Sequence, residues 1–397
     1  MKPLNIGIAG AGIGGLAAAA ALGKDGHNIT IFDQFDTPKP IGSGLVIQPV
    51  GQAVLDLIGA GGIADALGQK VSRLLGHTQS GKLILDVSYD RSGRGARHGL
   101  AIHRAALFHA VLSAAQAAGA KLIQGHRVSH VSDAPHRKLI FADGTTSAAF
   151  DLVIDATGAA SPLSPLQARA LPFGAIWGTV DWPEAAPLPD TQLSQRYRSA
   201  KNMIGVLPIG RLPGETTAKA SIFWSLPQGS LEAWRKQPLQ QWKENACALW
   251  PDFEAFLKDI THHDQMTPAF YSHGTLRQPV ARGMVHIGDA AHRASPQLGQ
   301  GANMALLDAW ALAIALRNGS DLPDALTEYH RLRRRHLRIY QLTSAVFTPL
   351  YQSDNPVLPL LRDHVLTPLS RLPPMPALLS RLVCGDMIEP LKGIALR

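Results

Sequence analysis

The first strand and glycine turn of the chain decide its fold. Residues 4–15 read LNIGIAGAGIGG, an apolar segment that runs into closely spaced glycines. An apolar helical pattern follows at residues 16–24, and a second apolar segment follows at residues 28–33. Strand, glycine turn, helix and strand in this order predict a βαβ unit at the start of a Rossmann-type α/β domain.

The glycine turn and the acid behind it predict a dinucleotide site. Gly10, Gly12 and Gly15 have the GxGxxG spacing, with Gly14 between them. Glycine is required where the backbone turns tightly and approaches a pyrophosphate, and the following helix N-terminus offers free N–H donors. Asp33, at the end of the second strand, is suited to accept hydrogen bonds from an adenosine ribose. This motif alone does not separate FAD from NAD.

Composition indicates a globular chain with a large core. The chain has 397 residues, of which 46% are hydrophobic and 17% charged. Its two cysteines, Cys247 and Cys384, are too few and too far apart for a disulfide framework or a CxxC site. No uninterrupted apolar run is long enough for a transmembrane helix. We therefore expect a cytoplasmic protein with no integral membrane segment and no metal site.

The net charge of +8 is compatible with an anionic partner. Its densest cluster, RLRRRHLR at residues 331–338, falls on a helical pattern with an apolar opposite face. No aromatic residues interleave the arginines as a stacking platform for bases. We therefore expect a solvated helix face and no nucleic-acid partner.

The pattern of apolar segments predicts a discontinuous nucleotide domain. Residues 1–170 and 275–340 alternate strand and helix patterns and are expected to form the FAD-binding domain. Residues 171–274 contain short β-rich runs typical of an inserted antiparallel sheet, which would be the substrate domain. Residues 341–397 are rich in leucine and proline, which predicts a tail of short helices.

A second motif identifies the nucleotide. Residues 288–303 read GDAAHRASPQLGQGAN, and this segment resembles the GDAAH…P…GQGxN signature of the FAD-dependent aromatic hydroxylases, which include 4-hydroxybenzoate and salicylate hydroxylases. The resemblance implies that the aspartate binds a ribityl hydroxyl of FAD and that the helix N-terminus after the GQG turn faces the pyrimidine edge of the flavin. The FAD-binding residues that it implies are Gly288, Asp289, Gly299, Gly301, Ala302 and Asn303.

Two further segments match the same family. Residues 42–45 (GSGL) resemble the stretch of small residues that packs against the flavin, which makes Gly44 a cofactor candidate. Arg104 resembles the family's arginine near the ribityl and pyrophosphate groups, and a guanidinium is suited to grip phosphate. The preceding His103 is open to a purely structural role.

One segment departs from the family pattern. The family has an aspartate-glycine pair followed by a serine and a nearby arginine, where this chain reads DATGAASP at residues 155–162. Asp155, Gly158 and Ser161 match loosely, and we expect Asp155 and Gly158 to contact the cofactor. The arginine is missing. Because this region serves FAD and NAD(P)H in the family, direct reduction by NAD(P)H and supply by free reduced flavin or a reductase partner both stay open.

The inserted sheet is expected to cover the reactive face of the flavin, with Pro296 on the other side. Pro296 and His292 are the catalytic candidates, although His292 is equally suited to a structural role. Arg196 and Arg211 are candidates for a substrate carboxylate. Because alternate strand residues point to opposite faces, about half of the lining candidates must be wrong. The full set of lining candidates is Trp177, Thr179, Arg196, Tyr197, Leu207, Pro208, Phe223 and Trp224.

The resemblance implies a monooxygenase. Its chemistry would be reduction of FAD by NAD(P)H, reaction with O2 to a flavin hydroperoxide, and transfer of oxygen to a small aromatic or N-heterocyclic substrate in a site without bulk water. Three alternatives stay open: a flavin-dependent dehydrogenase, reductase or halogenase, a monooxygenase fed by a partner reductase, and a nucleotide binder without activity. A homodimer is also left open.

Overall fold

A six-stranded sheet confirms the predicted α/β core. The computed structural model describes residues 1–36, 43–133 and 136–391; Gly42, in the predicted GSGL stretch, lies outside them. Neighbouring strands of the sheet run parallel, except for an antiparallel pair at one edge. Strands and helices are numbered in chain order, and those of the sheet are, across it, β17 (Val280–Ala281), β18 (Met284–His286), β11 (Leu152–Asp155), β1 (Asn5–Ala9), β2 (Asn28–Phe32) and β8 (Lys121–Ile123).

Five helices belong to this region: α1 (Ile13–Lys24), α2 (Pro49–Ile58), α3 (Gly61–Leu67), α4 (Arg104–Ala117) and α7 (Gly301–Asn318). Helix α1 is buried on all sides along its alanine run, where α4 and α7 lie against it. Alanine side chains permit this close approach of helices because they are small and apolar. The N-termini of α1 and α7 both follow glycine-rich turns at the edge of one cavity.

Two small sheets complete the nucleotide-binding region. One has three strands and the other is a two-stranded hairpin. The three-stranded sheet brings the segment after β2 beside the start of α4, because Gly44 pairs with His103. The strands are, across each sheet, β3 (Gly44–Ile47), β7 (Gly99–His103) and β4 (Gln69–Val71), then β9 (Val128–Val131) and β10 (Leu139–Phe141).

An eight-stranded sheet corresponds to the predicted substrate domain but is not confined to residues 171–274. Two of its strands, β5 and β6 below, come from the N-terminal part of the chain, and one of them pairs in parallel with β13. Sequence periodicity could not assign them, because strand pairing between distant segments leaves no local signal. The strands are, across the sheet, β19 (His292–Arg293), β16 (Thr267–Thr275), β12 (Arg169–Asp181), β15 (Lys219–Pro227), β14 (Asn202–Pro208), β13 (Gln192–Arg198), β5 (Arg73–Thr78) and β6 (Leu83–Ser88).

The face of this sheet away from the cavity carries an aromatic cluster. Helices α5 (Leu231–Lys236) and α6 (Leu239–Leu249) contribute Trp234 and Trp242, which pack on Trp224 of β15. Short 3₁₀ turns occur in the remaining connections: Tyr89–Ser92, Gly158–Ala160, Pro251–Phe256, His263–Gln265, Gly288–Ala290 and Pro296–Leu298.

The C-terminal part differs from the prediction at its start. Helix α8 (Leu322–Tyr351) has 30 residues and crosses the predicted boundary between residues 340 and 341. Pro349 lies in the last turn of α8, so the backbone hydrogen bond that it removes is close to the point where the helix ends. The short helices expected from the prolines follow: α9 (Val357–Leu361), a π-helical turn (Arg362–Leu366), α10 (Thr367–Ser370) and α11 (Met375–Cys384).

Within the described part of the chain, no helix is both long and apolar enough to cross a membrane. The same residues contain no cluster of three or more histidine, cysteine, aspartate or glutamate side chains that could hold a metal ion.

Candidate functional site

One cavity of about 1110 Å³ joins the two glycine turns to the eight-stranded sheet. Gly12 lines one end and Gly301 lines a second side. Trp177 and Phe223 form part of a third wall from the sheet, and residues of α8, the π-helical turn, α10 and α11 form a fourth. The residues of both sequence motifs therefore meet in one space.

The first glycine turn is shaped for a ligand that approaches the backbone. Gly10 has φ +99°, and a Cβ at Gly15 would lie 2.1 Å from the Gly10 carbonyl oxygen, so both positions require glycine for the turn itself. Gly12 and Gly14 line the cavity, and a Cβ at Gly12 would meet nothing within 4 Å. This open space in front of the α1 N-terminus fits a bound pyrophosphate.

Asp33 is tied to the glycine turn. Its Oδ2 accepts a hydrogen bond from the Ala11 N–H at 2.7 Å, and its Oδ1 accepts one from the Phe35 N–H at 3.0 Å. The side chain is half-buried and is not part of the cavity wall. Asp33 therefore holds the turn in shape, and its contact with a ribose stays a prediction.

The GDAAH segment is held by a buried ionic cluster that the sequence analysis did not identify. Asp308 Oδ2 accepts the Gly288 N–H at 2.9 Å and lies 2.6 Å from His292 Nε2, while Oδ1 accepts from Arg333 Nε at 2.7 Å. Burial acts to raise the pKa of Asp308, but the adjacent His292 and Arg333 lower it to about 2. Asp308 is therefore a carboxylate that fixes the loop whose Asp289 is exposed in the cavity wall.

Two sequence predictions need correction at this cluster. His292 is buried and faces Asp308 of α7, so it does not line the large cavity and positions the loop instead of reacting with substrate. Arg333, in the arginine cluster predicted to be a solvated helix face, is only 1% exposed. Its neighbours Arg331, Arg334, Arg335 and Arg338 are exposed, as expected.

The second glycine turn leads into α7 at the cavity wall. Gly299 adopts φ +60°, and Gly299, Gly301 and Ala302 all line the cavity. Asn303 does not line it, because its amide is buried: Oδ1 accepts the Gln48 N–H at 2.8 Å and Nδ2 donates to the Gly299 carbonyl at 2.8 Å. The Asn303 side chain therefore fixes the turn to the start of α2, and a contact of this residue with FAD stays a prediction.

Asp155 also has a supporting position. The carboxylate is fully buried and makes three 2.7 Å contacts, with His286 Nδ1, Thr157 Oγ1 and Ser161 Oγ. Burial acts to raise the pKa of Asp155, and the hydrogen bonds from these groups lower it overall. The predicted cofactor contact of Asp155 is therefore replaced by a role in shaping the segment, from which Gly158, at φ +81°, lines the cavity.

Gly44 and Arg104 lie in the cavity wall, as the motif matches suggested. A Cβ at Gly44 would lie 2.2 Å from Ile209 Cγ2, so glycine is needed for the contact with the strand behind it. His103 caps α4, because its Nδ1 accepts the Ala105 N–H at 3.0 Å, and burial lowers its pKa. It has the structural role, while Arg104 is exposed at the cavity.

Trp177, Leu207 and Phe223 of the predicted substrate residues line the cavity, and Pro296 lies in its wall. The Trp177 and Phe223 ring centroids are 4.6 Å apart, and Trp177 Nε1 donates to Tyr271 Oη at 2.9 Å. Burial raises the pKa of Tyr271 to about 12, so it stays a neutral hydroxyl. Tyr271 carried no sequence motif and was missed.

Arg196 and Tyr197 do not line the cavity. Strand alternation puts Gln195 in the wall and directs Arg196 to the other face, where its guanidinium carbon is 5.4 Å from the Trp250 ring centroid. Tyr197 is buried because Tyr351 and Arg362 cover it. Four further candidates from the sequence are also absent from the cavity wall: Thr179, Pro208, Arg211 and Trp224.

Comparison with known proteins identifies the family that this chain resembles. A family model described as "FAD binding domain" matches residues 4–341. The FAD-dependent urate hydroxylase of Klebsiella pneumoniae is 26% identical over 344 residues, 83% of this chain and 86% of that protein. The 6-hydroxynicotinate 3-monooxygenase of Pseudomonas fluorescens is 27% identical over 363 residues, 83% and 88% of the two chains. The crystal structure of Klebsiella pneumoniae HpxO complexed with FAD and uric acid has the same fold, with a TM-score of 0.77, 21% identity, and 97% and 98% of the chains covered.

Proposed function

This chain belongs to the FAD-binding-domain family of FAD-dependent aromatic hydroxylases, and we propose that it inserts one oxygen atom from O2 into an aromatic or N-heterocyclic ring. FAD is the cofactor and NAD(P)H the electron donor of this reaction. The observation that supports the proposal most is the single cavity that joins both glycine turns to an aromatic chamber.

The residues at one end of the cavity fit FAD. The N–H groups at the start of α1, beside Gly12 and Gly14, would hold the pyrophosphate, and Arg104 adds a positive charge nearby. Asp289 would accept a hydrogen bond from a ribityl hydroxyl. The α7 N-terminus, at Gly301, would supply backbone donors to the flavin edge that becomes negative on reduction.

FAD, when bound, accepts electrons from NAD(P)H and activates O2. The chamber residues then have two tasks, to exclude water and to orient the ring. Trp177, Leu207 and Phe223 form an apolar wall, which keeps bulk water from the reacting groups. Tyr271 accepts a hydrogen bond from Trp177, so its own hydroxyl hydrogen is available to a polar atom of the substrate.

We infer that NAD(P)H reduces the flavin directly despite the missing arginine. The segment 155–161 is closed by Asp155 and its bonds to His286, Thr157 and Ser161, so a shaped turn exists without that arginine. Anaerobic stopped-flow mixing with NADH and with NADPH tests this inference. Flavin bleaching only after addition of a reductase or of free reduced flavin would favour the partner-fed enzyme.

Oxygen transfer is tested with ¹⁸O2. Purified yellow protein, NAD(P)H and a panel of aromatic acids, phenols and N-heterocycles should give one product that carries a single ¹⁸O atom. The opposite result is that no substrate gives a labelled product and that the hydrogen peroxide formed equals the NAD(P)H consumed. This result would favour a dehydrogenase or reductase. A protein that takes up no FAD would leave only a nucleotide binder.

A homodimer stays part of the proposal. Sedimentation equilibrium of the FAD-loaded protein tests it directly, and a mass of about 42.5 kDa, that of one chain, would contradict it.

A further inference from the structure

The C-terminal helices form the mouth of the cavity. Leu366, Leu369, Leu372 and Met375 line the cavity and are also between 37% and 57% exposed. A side chain with both properties lies where the cavity opens to solvent. The opening is therefore bordered by large apolar side chains. An entrance that admits only a small polar substrate does not need such side chains.

Apolar contacts continue from this mouth to the aromatic chamber. Phe223 and Trp177 share one cluster with Phe347 and Leu350 of α8 and with Ile84 of β6. The wall near that cluster and the mouth also includes residues of β5, β6, β13 and α11: Leu74, Leu85, Val87, Leu193, Leu379, Leu382 and Val383. Thr367 connects α10 at the mouth to β6, since its hydroxyl donates to the Ile84 carbonyl at 3.1 Å.

The charged side chains in the cavity wall lie at the flavin end or are paired with other protein groups. Among the described residues in the wall, the charged ones are Asp86, Arg104, Asp289 and Arg362. Arg104 and Asp289 belong to the flavin end, and both oxygens of Asp86 accept from Arg73 at 2.7 and 2.8 Å. Arg362 is 1% exposed and donates to the Ser199 and Leu350 carbonyls and to Asp363. No cation is left over in this part of the wall for a substrate carboxylate.

We propose that the substrate is an uncharged aromatic ring that carries an apolar chain. The ring lies between the flavin and the Trp177–Phe223 wall, and the chain extends along β6 and α11 towards Leu369. This inference rests on the proposed function for the position of the ring, and it adds the substrate class. A compact aromatic acid would leave the apolar wall in contact with water.

Chain length is the variable that tests the proposal. Three uncharged ligands, 4-ethylphenol, 4-butylphenol and 4-heptylphenol, are titrated into the FAD-loaded enzyme, and binding is followed by the change in flavin absorbance, which reports a ring beside the flavin. Each buried methylene should improve affinity by up to about fourfold, so heptylphenol should bind at least about tenfold more tightly than ethylphenol. Equal affinities for the three ligands would overturn the proposal.

Two matched variants locate the chain. Leu369→Glu puts a charge at the mouth, and Leu360→Glu puts the same charge on α9 at a residue that is 58% exposed and outside the cavity wall. Leu369→Glu should weaken heptylphenol binding about tenfold and leave ethylphenol binding unchanged, and Leu360→Glu should match the parent. Identical heptylphenol affinity in both variants would refute the assigned path, provided that their thermal unfolding matches the parent.

Failure of the proposed function gives a different result. If the enzyme makes no ¹⁸O-labelled product, the oxygenase proposal fails while the dependence of binding on chain length can still be measured. If the protein takes up no FAD, quenching of tryptophan fluorescence, to which Trp177 in the cavity wall contributes, replaces the flavin signal. Labelled product together with no dependence on chain length would refute the substrate class alone.

Discussion

The flavin end and the substrate end of the cavity differ in how they are built. At the flavin end, short motifs provide backbone N–H groups and glycines, and the half-buried Asp33 and the buried Asp155 and Asp308 hold each turn in place. At the substrate end, apolar side chains come from strands of the eight-stranded sheet, including β5 and β6, and from α8, the π-helical turn, α10 and α11. No sequence motif marks these side chains. Backbone recognition requires particular residues at fixed spacing, whereas an apolar wall requires only volume and hydrophobicity.

The largest effect that this contrast predicts is at Gly12. Its φ of −74° suits any residue, so Gly12→Val should fold normally, but the side chain would project into the open space in front of α1. We expect no measurable FAD binding by absorbance or by calorimetric titration. A variant that purifies with a full complement of FAD would contradict the assigned pyrophosphate position.

Removal of Asp308 tests the buried support of the flavin end. Asp308→Ala leaves Arg333 and His292 without their partner in the protein interior, which should cost about 3–5 kcal/mol of unfolding free energy. The control is Arg331→Ala, which breaks the exposed pair with Glu328 and should leave the urea midpoint close to that of the parent. Equal urea midpoints for the two variants would show that the cluster contributes no support.

Asp289 tests the exposed part of the same loop. Asp289→Ala would remove the proposed charge-assisted hydrogen bond to a ribityl hydroxyl of FAD and should weaken FAD binding by about 1.5–3 kcal/mol. Because Asp289 is exposed, thermal unfolding of the apoprotein should not change. Parent-like FAD affinity would remove Asp289 from the cofactor site.

The lowered pKa of Asp308 predicts an acid-sensitive stability. The folded-state pKa of Asp308 is about 2, below the ordinary value of 3.8, so the charged form stabilises the fold above pH 4, and this contribution is lost as the pH falls towards 2. The contribution is about 2 kcal/mol. Urea unfolding of the parent and of Asp308→Asn between pH 5 and pH 2.5 measures it. Parallel stability curves for the two proteins would argue against an ionised Asp308.

The smallest expected effect is at Arg196. Because its guanidinium lies over Trp250 on the outer face, Arg196→Ala should lower stability by about 0.5–1 kcal/mol and leave kcat/KM unchanged. A more than tenfold loss of kcat/KM for the best substrate would contradict the position of Arg196 outside the cavity.

The sequence by itself predicted the α/β fold, the βαβ start and the residues at the flavin end that now line the cavity, including Gly12, Gly44, Asp289 and Gly301. These features have local signals, because tight turns, helix starts and buried strands impose residue types at fixed spacing. The same motifs did not predict that the side chains of Asp155, His292 and Asn303 are buried outside the cavity wall, since a motif records that a residue belongs to a site but does not record which way its side chain points.

Only the tertiary structure decided the rest. The pairing of β5 with β13, the position of Tyr271 opposite Trp177 and the ion pair of Asp308 with Arg333 all join segments that are distant in the chain. The contribution of α8, α10 and α11 to the cavity wall is of the same kind. Apolar residues at helical spacing predict that a face is buried, but they do not identify its partner. That choice depends on how all the elements pack together, because hydrophobic attraction has no direction of its own.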